Sequence, residues 1–463
     1  MRVVAVSVVA ALALALAAPA RAQNSCTGQT DADAVEQKPG KPLRFGITPG
    51  AQTGQYVTGA VPPRTPEDPA RQIAGLDGLR PADGPFVLRL HRFFWSGGEE
   101  EFKRVLGLAD LYTRAGYLVE LQLRYHPNEQ QEGDIPAWEA HVREVVRRFG
   151  VNPRVVAIQV TNEVNITFSP DSSDGAYDGA RDALIRGVIV AKDEARRRGF
   201  RQLEIGFNWA YRSEPAAETS FWNYIRDNAG KDFHEALDWV GVDAYPGTVF
   251  PPAHTSGGER DGMVNAFSTF RCYATPAGIA ETVPIKVEEN GWPTEPPARS
   301  YEQQAQVAET LVRAVHDFRG TYNISDYRWF NLRDGDTTSA NFQTQYGLMT
   351  DEYQPKPAYG VYSRLVRELT RRYSNPRLTL TVRCRARRWQ ATLGGPDVGE
   401  VLSATFRVGD LHAPPDADPP FAGAVPARTF DRDRRRWTML ANARLLDGRK
   451  LSVRRSIGRC DRR

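Results

Sequence analysis

Two acidic side chains stand at the ends of apolar runs, where together they could supply a proton donor and a nucleophile. The run VVAIQV leads into VTNEVN, which places Asn162 beside Glu163, and the run PIKVE leads into VEENGWP, which contains Glu288 and Glu289. Two carboxyl groups that face one substrate are the minimum equipment for cleaving a glycosidic bond. One must stay protonated to donate to the leaving oxygen, and the other must stay ionised to attack carbon.

These acidic residues need a scaffold that brings distant parts of the chain together. Between about residues 41 and 372, short apolar runs alternate with amphipathic helical stretches, which predicts parallel strands joined by crossover helices. Eight such runs predict a closed (β/α)8 TIM barrel. Reactive groups of this fold lie at the C-terminal strand ends, and Glu163 and Glu289 follow the fourth and seventh runs. The runs are LRFGI, FVLRL, YLVELQL, VVAIQV, LEIGF, LDWVGV, PIKVE and YRWF.

Two of the intervening helices carry clear end signals. The stretch from Glu99 to Ala115 has apolar residues at helical spacing and ends before Gly116, the residue type expected just past a helix end. Ser300 and Gln303 form the pattern of a capping box before another apolar helix face.

The pattern changes to period two after Asn375, so residues 376–463 are expected to form a small antiparallel β-sandwich of the immunoglobulin-like kind. From Arg371 onward the chain has 20 arginines and one lysine against nine acidic residues, whereas the whole chain has a net charge of only +4. This basic region could contact a cell wall or an anionic polysaccharide. Biased codon usage could also explain the arginines, and the sandwich could simply cover the side of the barrel.

The first 22 residues have a basic start, an apolar run and a small-residue cleavage site, which predicts a secretory signal peptide. A membrane anchor is the alternative, but the run is shorter than a span requires. The protein is therefore expected to be secreted, extracellular or periplasmic. Residues 23–40 are polar and predict a flexible leader.

Four cysteines remain after removal of the signal peptide, and an even number in an exported chain favours disulfides over metal ligation. Cys384 and Cys460 bracket the terminal domain and are expected to pair. Cys26 and Cys272 are then paired by elimination.

The two acidic motifs resemble those of clan A glycoside hydrolases, the retaining (β/α)8 enzymes that include many β-glucanases, β-mannanases and β-galactanases. VTNEVN resembles the Asn-Glu acid/base signature, VEENGWP resembles the nucleophile signature, and the likeness covers residues 41–372. It implies that Glu163 is the general acid/base and Glu289 the nucleophile, acting on a carbohydrate by double displacement. Glu288 is expected to point away, because successive strand residues alternate in direction.

The resemblance also implies roles for residues around the two carboxyl groups. Asn162 would bind the sugar 2-hydroxyl, Arg89 would keep the nucleophile ionised, Tyr245 would donate to the nucleophile, and Trp329 would form the floor of the −1 subsite. Arg92 competes with Arg89 for its role.

Other positions are open to more than one interpretation. The third strand ends in LRYHP, where relatives often place a histidine, so His126 is the choice, with Arg124 and Tyr125 as alternatives. Trp209 and Trp292 follow strand ends and could stack on sugar rings. Trp95 is in the same position, and each of these tryptophans could instead pack in the core.

Other chemistries find little support in the sequence. It contains no HExxH, no P-loop, no GxSxG and no dinucleotide fingerprint after a strand. We expect no metal or other cofactor, no nucleic-acid partner and no membrane span. The protein is expected to be a monomer. Two further functions remain open: a transglycosylase on the same scaffold, and a barrel that binds carbohydrate without cleaving it.

Overall fold

The predicted barrel is confirmed in the computed structural model, where eight parallel strands close in sequence order, β8 pairing with β1. The strands are buried on both faces, because helices cover the outside and side chains fill the inside, where Arg44, Glu120, Lys286, Asp326 and Arg328 form buried ion pairs. Their bounds are β1 (Arg44–Ile47), β2 (Phe86–Phe94), β3 (Leu118–Arg124), β4 (Val155–Val160), β5 (Glu204–Ala210), β6 (Trp239–Asp243), β7 (Ile285–Asn290) and β8 (Ile324–Trp329).

The structure describes residues 26, 30–51, 62–81, 84–212, 215–249, 257–370, 376–417, 419–427, 436–445 and 450–460. The predicted signal peptide, residues 1–22, lies outside the described residues. None of the described helices combines the length and the apolar character that a membrane span requires.

Helices connect the strands, and their ends follow the sequence signals. The helix predicted from Glu99 to Ala115 is α2, and the capping box is formed, since Gln303 N donates to Ser300 Oγ and Ser300 N donates to Gln303 Oε1. The bounds are α1 (Pro69–Asp77), α2 (Gly98–Arg114), α3 (Ile135–Gly150), α4 (Ala180–Arg198), α5 (Pro215–Asn228), α6 (Gly230–Ala236), α7 (Glu259–Ala274), α8 (Tyr301–Asp317) and α9 (Pro357–Thr370).

Two small antiparallel sheets follow the barrel, one with the order β13-β10-β9 and one with the order β12-β11-β14-β15. Their inner faces share one apolar core, which includes Leu380, Trp389, Phe406 and Met439. The period-two pattern that predicted these strands arises because alternate residues face that core. The strands are β9 (Thr379–Arg385), β10 (Arg388–Gly394), β11 (Val401–Val408), β12 (Leu411–His412), β13 (Ala422–Pro426), β14 (Trp437–Leu445) and β15 (Lys450–Ile457).

Both predicted cysteine pairs are confirmed as disulfides. The Sγ atoms of Cys26 and Cys272 lie 1.97 Å apart, and those of Cys384 and Cys460 lie 2.03 Å apart. The first bond attaches the amino-terminal segment to α7. The described part of the predicted leader also contacts α7, where Ala32 N donates to Asp261 Oδ1 at 2.9 Å.

Candidate active site

The side chain of Glu289, near the C-terminal end of β7, is surrounded by hydrogen-bond donors. Arg89 Nη1 donates to Oε1 at 2.7 Å, Tyr245 OH donates to Oε2 at 2.8 Å, and Gln122 Nε2 lies 3.3 Å from Oε1. Donors therefore hold both carboxyl oxygens of Glu289 in place, with a buried guanidinium beside one of them.

Glu163 lies just past β4 on a sharp turn in which both Thr161 and Glu163 have left-handed backbone, with φ of 64° and 47°. Other side chains hold this turn. Glu163 N donates to Asn208 Oδ1 at 2.9 Å, and Asn162 N donates to Asp174 Oδ2 at 2.8 Å. Left-handed backbone is costly for residues with a Cβ atom, so these hydrogen bonds keep the Glu163 side chain aimed at the mouth of the barrel.

Three carboxyl groups meet at this mouth. Each contributes one carboxyl oxygen to a group of three atoms that lie within 4.8 Å of one another, and the residues are Glu163, Asp243 and Glu289. Burial, and after it the Glu289 charge, raise the pKa of Glu163 to about 8. Glu163 is therefore protonated at neutral pH, beside the carboxyl group of Glu289.

Asp243 is a site residue that the sequence analysis missed. It is 1% exposed, its register partner on β7 is Glu289, and Asn208 Nδ2 donates to its Oδ2. Burial, and next the Glu289 charge, raise the pKa of Asp243 well above its ordinary value. Its position at the C-terminal end of β6 was the available signal, because the strand-end rule that found Glu163 applies to it equally.

The three carboxyl oxygens are also close enough to share a metal ion. The charge distribution disfavours this, because Arg89 already neutralises Glu289 and burial favours the protonated forms of Glu163 and Asp243. The arrangement fits a proton donor beside a nucleophile better than a cation site.

The expectation that Glu288 points away from the site is wrong. The pairing of β7 shifts register around Glu288 and Glu289, which breaks the alternation of side chains, so Glu288 lies deeper in the barrel against the same guanidinium as Glu289. It is fully buried, with Arg89 Nε 3.2 Å from its Oε2. Burial and the neighbouring Glu120 carboxyl raise the pKa of Glu288 well above its ordinary value. Arg89 therefore contacts both glutamates, and only Glu289 reaches the mouth.

A network of amides joins the strands beneath the two catalytic candidates. Asn162 Oδ1 accepts from Gln122 Nε2 at 2.8 Å, from Gln159 Nε2 at 3.1 Å and from Asn208 Nδ2 at 2.8 Å. Its own amide nitrogen donates to Ser172 O at 2.8 Å. Asn162 is thus fixed next to Glu163, and binding of a sugar 2-hydroxyl stays a prediction for it.

Arg89, rather than Arg92, contacts the nucleophile candidate. The Arg92 backbone N–H donates to Gln122 Oε1 at 2.9 Å, in a bulged part of β2. His91, which the sequence analysis missed, lies with Nδ1 3.7 Å from Glu289 Oε1 and Nε2 against Arg89. Burial and Arg89 lower the pKa of His91 well below its ordinary value, so it is neutral. The signal was the alternation along β2, which places His91 on the same face as Arg89.

The prediction for Trp329 as the floor of the site is corrected by the structure. Trp329 is fully buried and packs against Tyr362 of α9, with ring centroids 6.1 Å apart. The next residue, Phe330, faces the site instead, with its ring 5.4 Å from that of His91 and 6.1 Å from that of Tyr245. Because side chains alternate along a strand, an error of one residue moves a ring from the mouth to the helix layer.

The other tryptophans differ in placement. Trp209 is fully buried and packs against Trp222 of α5, so it does not reach the mouth, contrary to its prediction as a sugar-stacking residue. Trp95 stacks on Tyr125 and is likewise buried. Trp292 is 7% exposed on the segment that follows β7, and stays a candidate for sugar contact.

His126 lies on the rim after β3, among aromatic rings. Its ring centroid is 4.4 Å from that of Phe94 and 5.2 Å from that of Tyr177, and its Nδ1 lies 3.1 Å from Ser96 Oγ. Its alternative Arg124 donates through Nε to Asp174 Oδ1 at 2.7 Å. His126 is therefore half-buried beside the site, and its predicted role in substrate binding stays a prediction.

Three of the solved structures that this chain resembles are glycoside hydrolases. GH5_18 from Streptomyces cattleya in complex with GlcNAc is 16% identical, with 73% of this chain and 83% of that chain covered and a TM-score of 0.48. A psychrophilic glycoside hydrolase family 10 endo-beta-1,4-xylanase is 13% identical, with 70% and 96% covered and a TM-score of 0.47. A fungal beta-1,4-galactanase is 14% identical, with 70% and 99% covered and a TM-score of 0.46.

No protein-family model matches the sequence, and no curated protein does. The TM-scores of the three structures are all below 0.5. The chemistry proposed for this chain therefore rests on its own site, and no individual family is resolved.

Proposed function

We propose that the protein is a retaining glycoside hydrolase that cleaves β-glycosidic bonds of a polysaccharide or oligosaccharide. The observation that carries this proposal is the pair of carboxyl groups at the mouth of the barrel. Glu289 contacts the Arg89 guanidinium, Glu163 has a pKa raised to about 8, and carboxyl oxygens of the two lie within 4.8 Å of each other. Retaining enzymes have carboxyl groups about 5–5.5 Å apart, whereas inverting enzymes need ~6.5–9.5 Å to admit a water. The close approach therefore supports retention.

In the first step, Glu289 attacks the anomeric carbon while Glu163 donates its proton to the leaving oxygen. The glycosidic bond breaks and a glycosyl ester forms on Glu289. The ester carries no charge, so the contribution of the Glu289 carboxylate to the raised pKa of Glu163 disappears. Glu163, now ionised, removes a proton from a water that attacks the anomeric carbon, and the ester bond breaks.

The surrounding residues assist both steps. Arg89 and Tyr245 hold the attacking oxygens of Glu289 in position, and Phe330 offers an apolar ring beside them. The two disulfides suit an oxidising compartment, which supports a secreted protein.

A 2-deoxy-2-fluoro glycoside with a good leaving group is expected to label Glu289, because the fluorine slows both formation and breakdown of the ester, and the good leaving group restores formation alone. Peptide mass spectrometry would locate the label, and NMR would show the first product with the substrate's anomeric configuration. The Glu289→Gln variant is the control and should not be labelled. Labelling of Glu288, or an inverted first product, would contradict the mechanism.

Asp243→Asn is expected to keep turnover within about 10-fold of the parent. The pH at which kcat/KM falls on the alkaline side of its profile should not change. The reason is that the raised pKa of Asp243 keeps it neutral, and an asparagine is neutral and can accept the same hydrogen bond from Asn208. Rates measured between pH 5 and 9 would test this. If the alkaline fall of kcat/KM moved to lower pH, Asp243 would be ionised in the working enzyme. The substitution would then remove a negative charge near Glu163 and so lower the pKa of Glu163.

A further inference from the structure

The outward face of the three-stranded sheet carries a group of arginines. Arg383 and Arg385 alternate along β9 with residues that point to the core, and Arg388 lies on β10 directly opposite Arg385. All three side chains are exposed, and Gln390 lies opposite Arg383. We call Arg383, Arg385 and Arg388 the arginine face.

Nothing described in the protein neutralises the arginine face. Among the residues that the structure describes, none of its three side chains has an acidic partner, and Asp397 of the same domain is already paired with Arg377 at 3.3 Å. Like charges directly opposite each other on neighbouring strands are destabilising. The repulsion between Arg385 and Arg388 therefore lowers the stability of the free protein, and a bound anion would relieve that repulsion.

The backbone that presents the arginines is anchored to the rest of the domain at two points. Cys384, between Arg383 and Arg385, is bonded to Cys460, and Trp389, next to Arg388, is 3% exposed and packs against Trp437. A fixed backbone reduces the entropy that is lost when the side chains bind a ligand. The arginine face is thus suited to a ligand with several anionic groups.

The residue types on and around the arginine face favour a carboxylate-bearing ligand over a nucleic acid or a membrane. A guanidinium binds a carboxylate through two parallel hydrogen bonds. The exposed residues of β9 and β10 include no aromatic ring on which a nucleic-acid base could stack. The large apolar residues that are exposed in the described chain, Val151 and Phe168, lie in the barrel, so the face offers no apolar side chain for insertion into a membrane.

We propose that the arginine face binds a carboxylate-bearing polysaccharide and holds the enzyme on an anionic glycan matrix. The choice of a glycan rests on the proposed function, whereas the preference for carboxylates rests on the arginines alone. The interaction surface is separate from the mouth of the barrel, so binding does not require turnover.

The test measures binding of the full chain to immobilised polygalacturonate, with immobilised dextran as the uncharged comparison. The triple variant Arg383→Gln, Arg385→Gln, Arg388→Gln is expected to bind polygalacturonate at least about 10-fold more weakly, and the parent should lose binding as salt is raised. The matched control removes three positive charges from the outward face of the other sheet, through Arg407→Gln, Lys450→Gln and Arg454→Gln, and is expected to bind like the parent.

Equal loss in both triple variants would show a net-charge effect and overturn the proposal, as would equal binding to dextran or tighter binding to double-stranded DNA. Thermal unfolding would establish that both variants are folded. Each binding measurement is repeated in the Glu289→Gln background, where the glycan is not cleaved. A protein that binds through the arginine face but cleaves no glycan would refute the proposed function while leaving this inference intact.

Discussion

Replacing Glu289 with glutamine is expected to reduce the rate of glycan cleavage roughly 10⁴- to 10⁶-fold, because the covalent intermediate then has no nucleophile. Glutamine has nearly the same shape, and its carbonyl oxygen can still accept the hydrogen bond from Arg89 that Glu289 Oε1 accepts at 2.7 Å, while its amide nitrogen can donate to the hydroxyl oxygen of Tyr245. The loss should therefore appear in kcat for a soluble substrate, with the circular dichroism spectrum unchanged.

A matched control and a rescue experiment sharpen this prediction. Glu295→Gln changes a glutamate of the segment after β7 that contacts Arg299 at 3.3 Å and not the site, and it should leave the rate nearly unchanged. In Glu289→Ala, added azide should restore turnover and yield a glycosyl azide of inverted configuration. Appreciable activity of Glu289→Gln without azide would remove the residue from the role of nucleophile.

Glu163→Ala is expected to lower cleavage of natural glycans about 10²- to 10⁴-fold, which is the usual contribution of a general acid. Aryl glycosides with good leaving groups should form the glycosyl ester at nearly the parent rate, because their leaving oxygen needs no proton. Comparing pre-steady-state rates for the two kinds of substrate separates loss of the acid from general damage to the site. Equal loss for both kinds would contradict the assignment.

The same variant is expected to change the pH profile. In the parent, the active form has Glu163 protonated, and its pKa is about 8, so activity on glycans should fall as the pH rises through about 8. In Glu163→Ala this alkaline limb should be absent from kcat/KM. A limb that persists at the same pH would show that another group titrates there.

The parts of the fold that were predictable are those governed by local pattern. Eight apolar runs separated by amphipathic helices were enough to predict the barrel, because parallel strands need crossovers and closure needs eight of them. Glu163 and Glu289 could be found because a strand-end position and a motif coincided. Both disulfides followed from the small number of cysteines.

The residues that were missed depend on register, which a single sequence does not define. Phe330 and Trp329 differ by one position, and only the closed barrel shows which ring faces the mouth. The position of Asp243 at the end of β6 marked it as a candidate, but only the pairing of β6 with β7 shows that it lies beside Glu289. Trp209 was assigned to the mouth because it follows the predicted run LEIGF, but β5 continues to Ala210 and the Trp209 ring packs against Trp222 of α5.

The bond between Cys26 and Cys272 joins residues 246 positions apart. During synthesis the amino-terminal thiol emerges early, and its partner follows only after β1 to β6 and most of α7 have been made. This disulfide can therefore form only after six of the eight barrel strands have been synthesised. Until then Cys26 has no other cysteine to pair with within its own chain, which protects the nascent protein from internal mispairing.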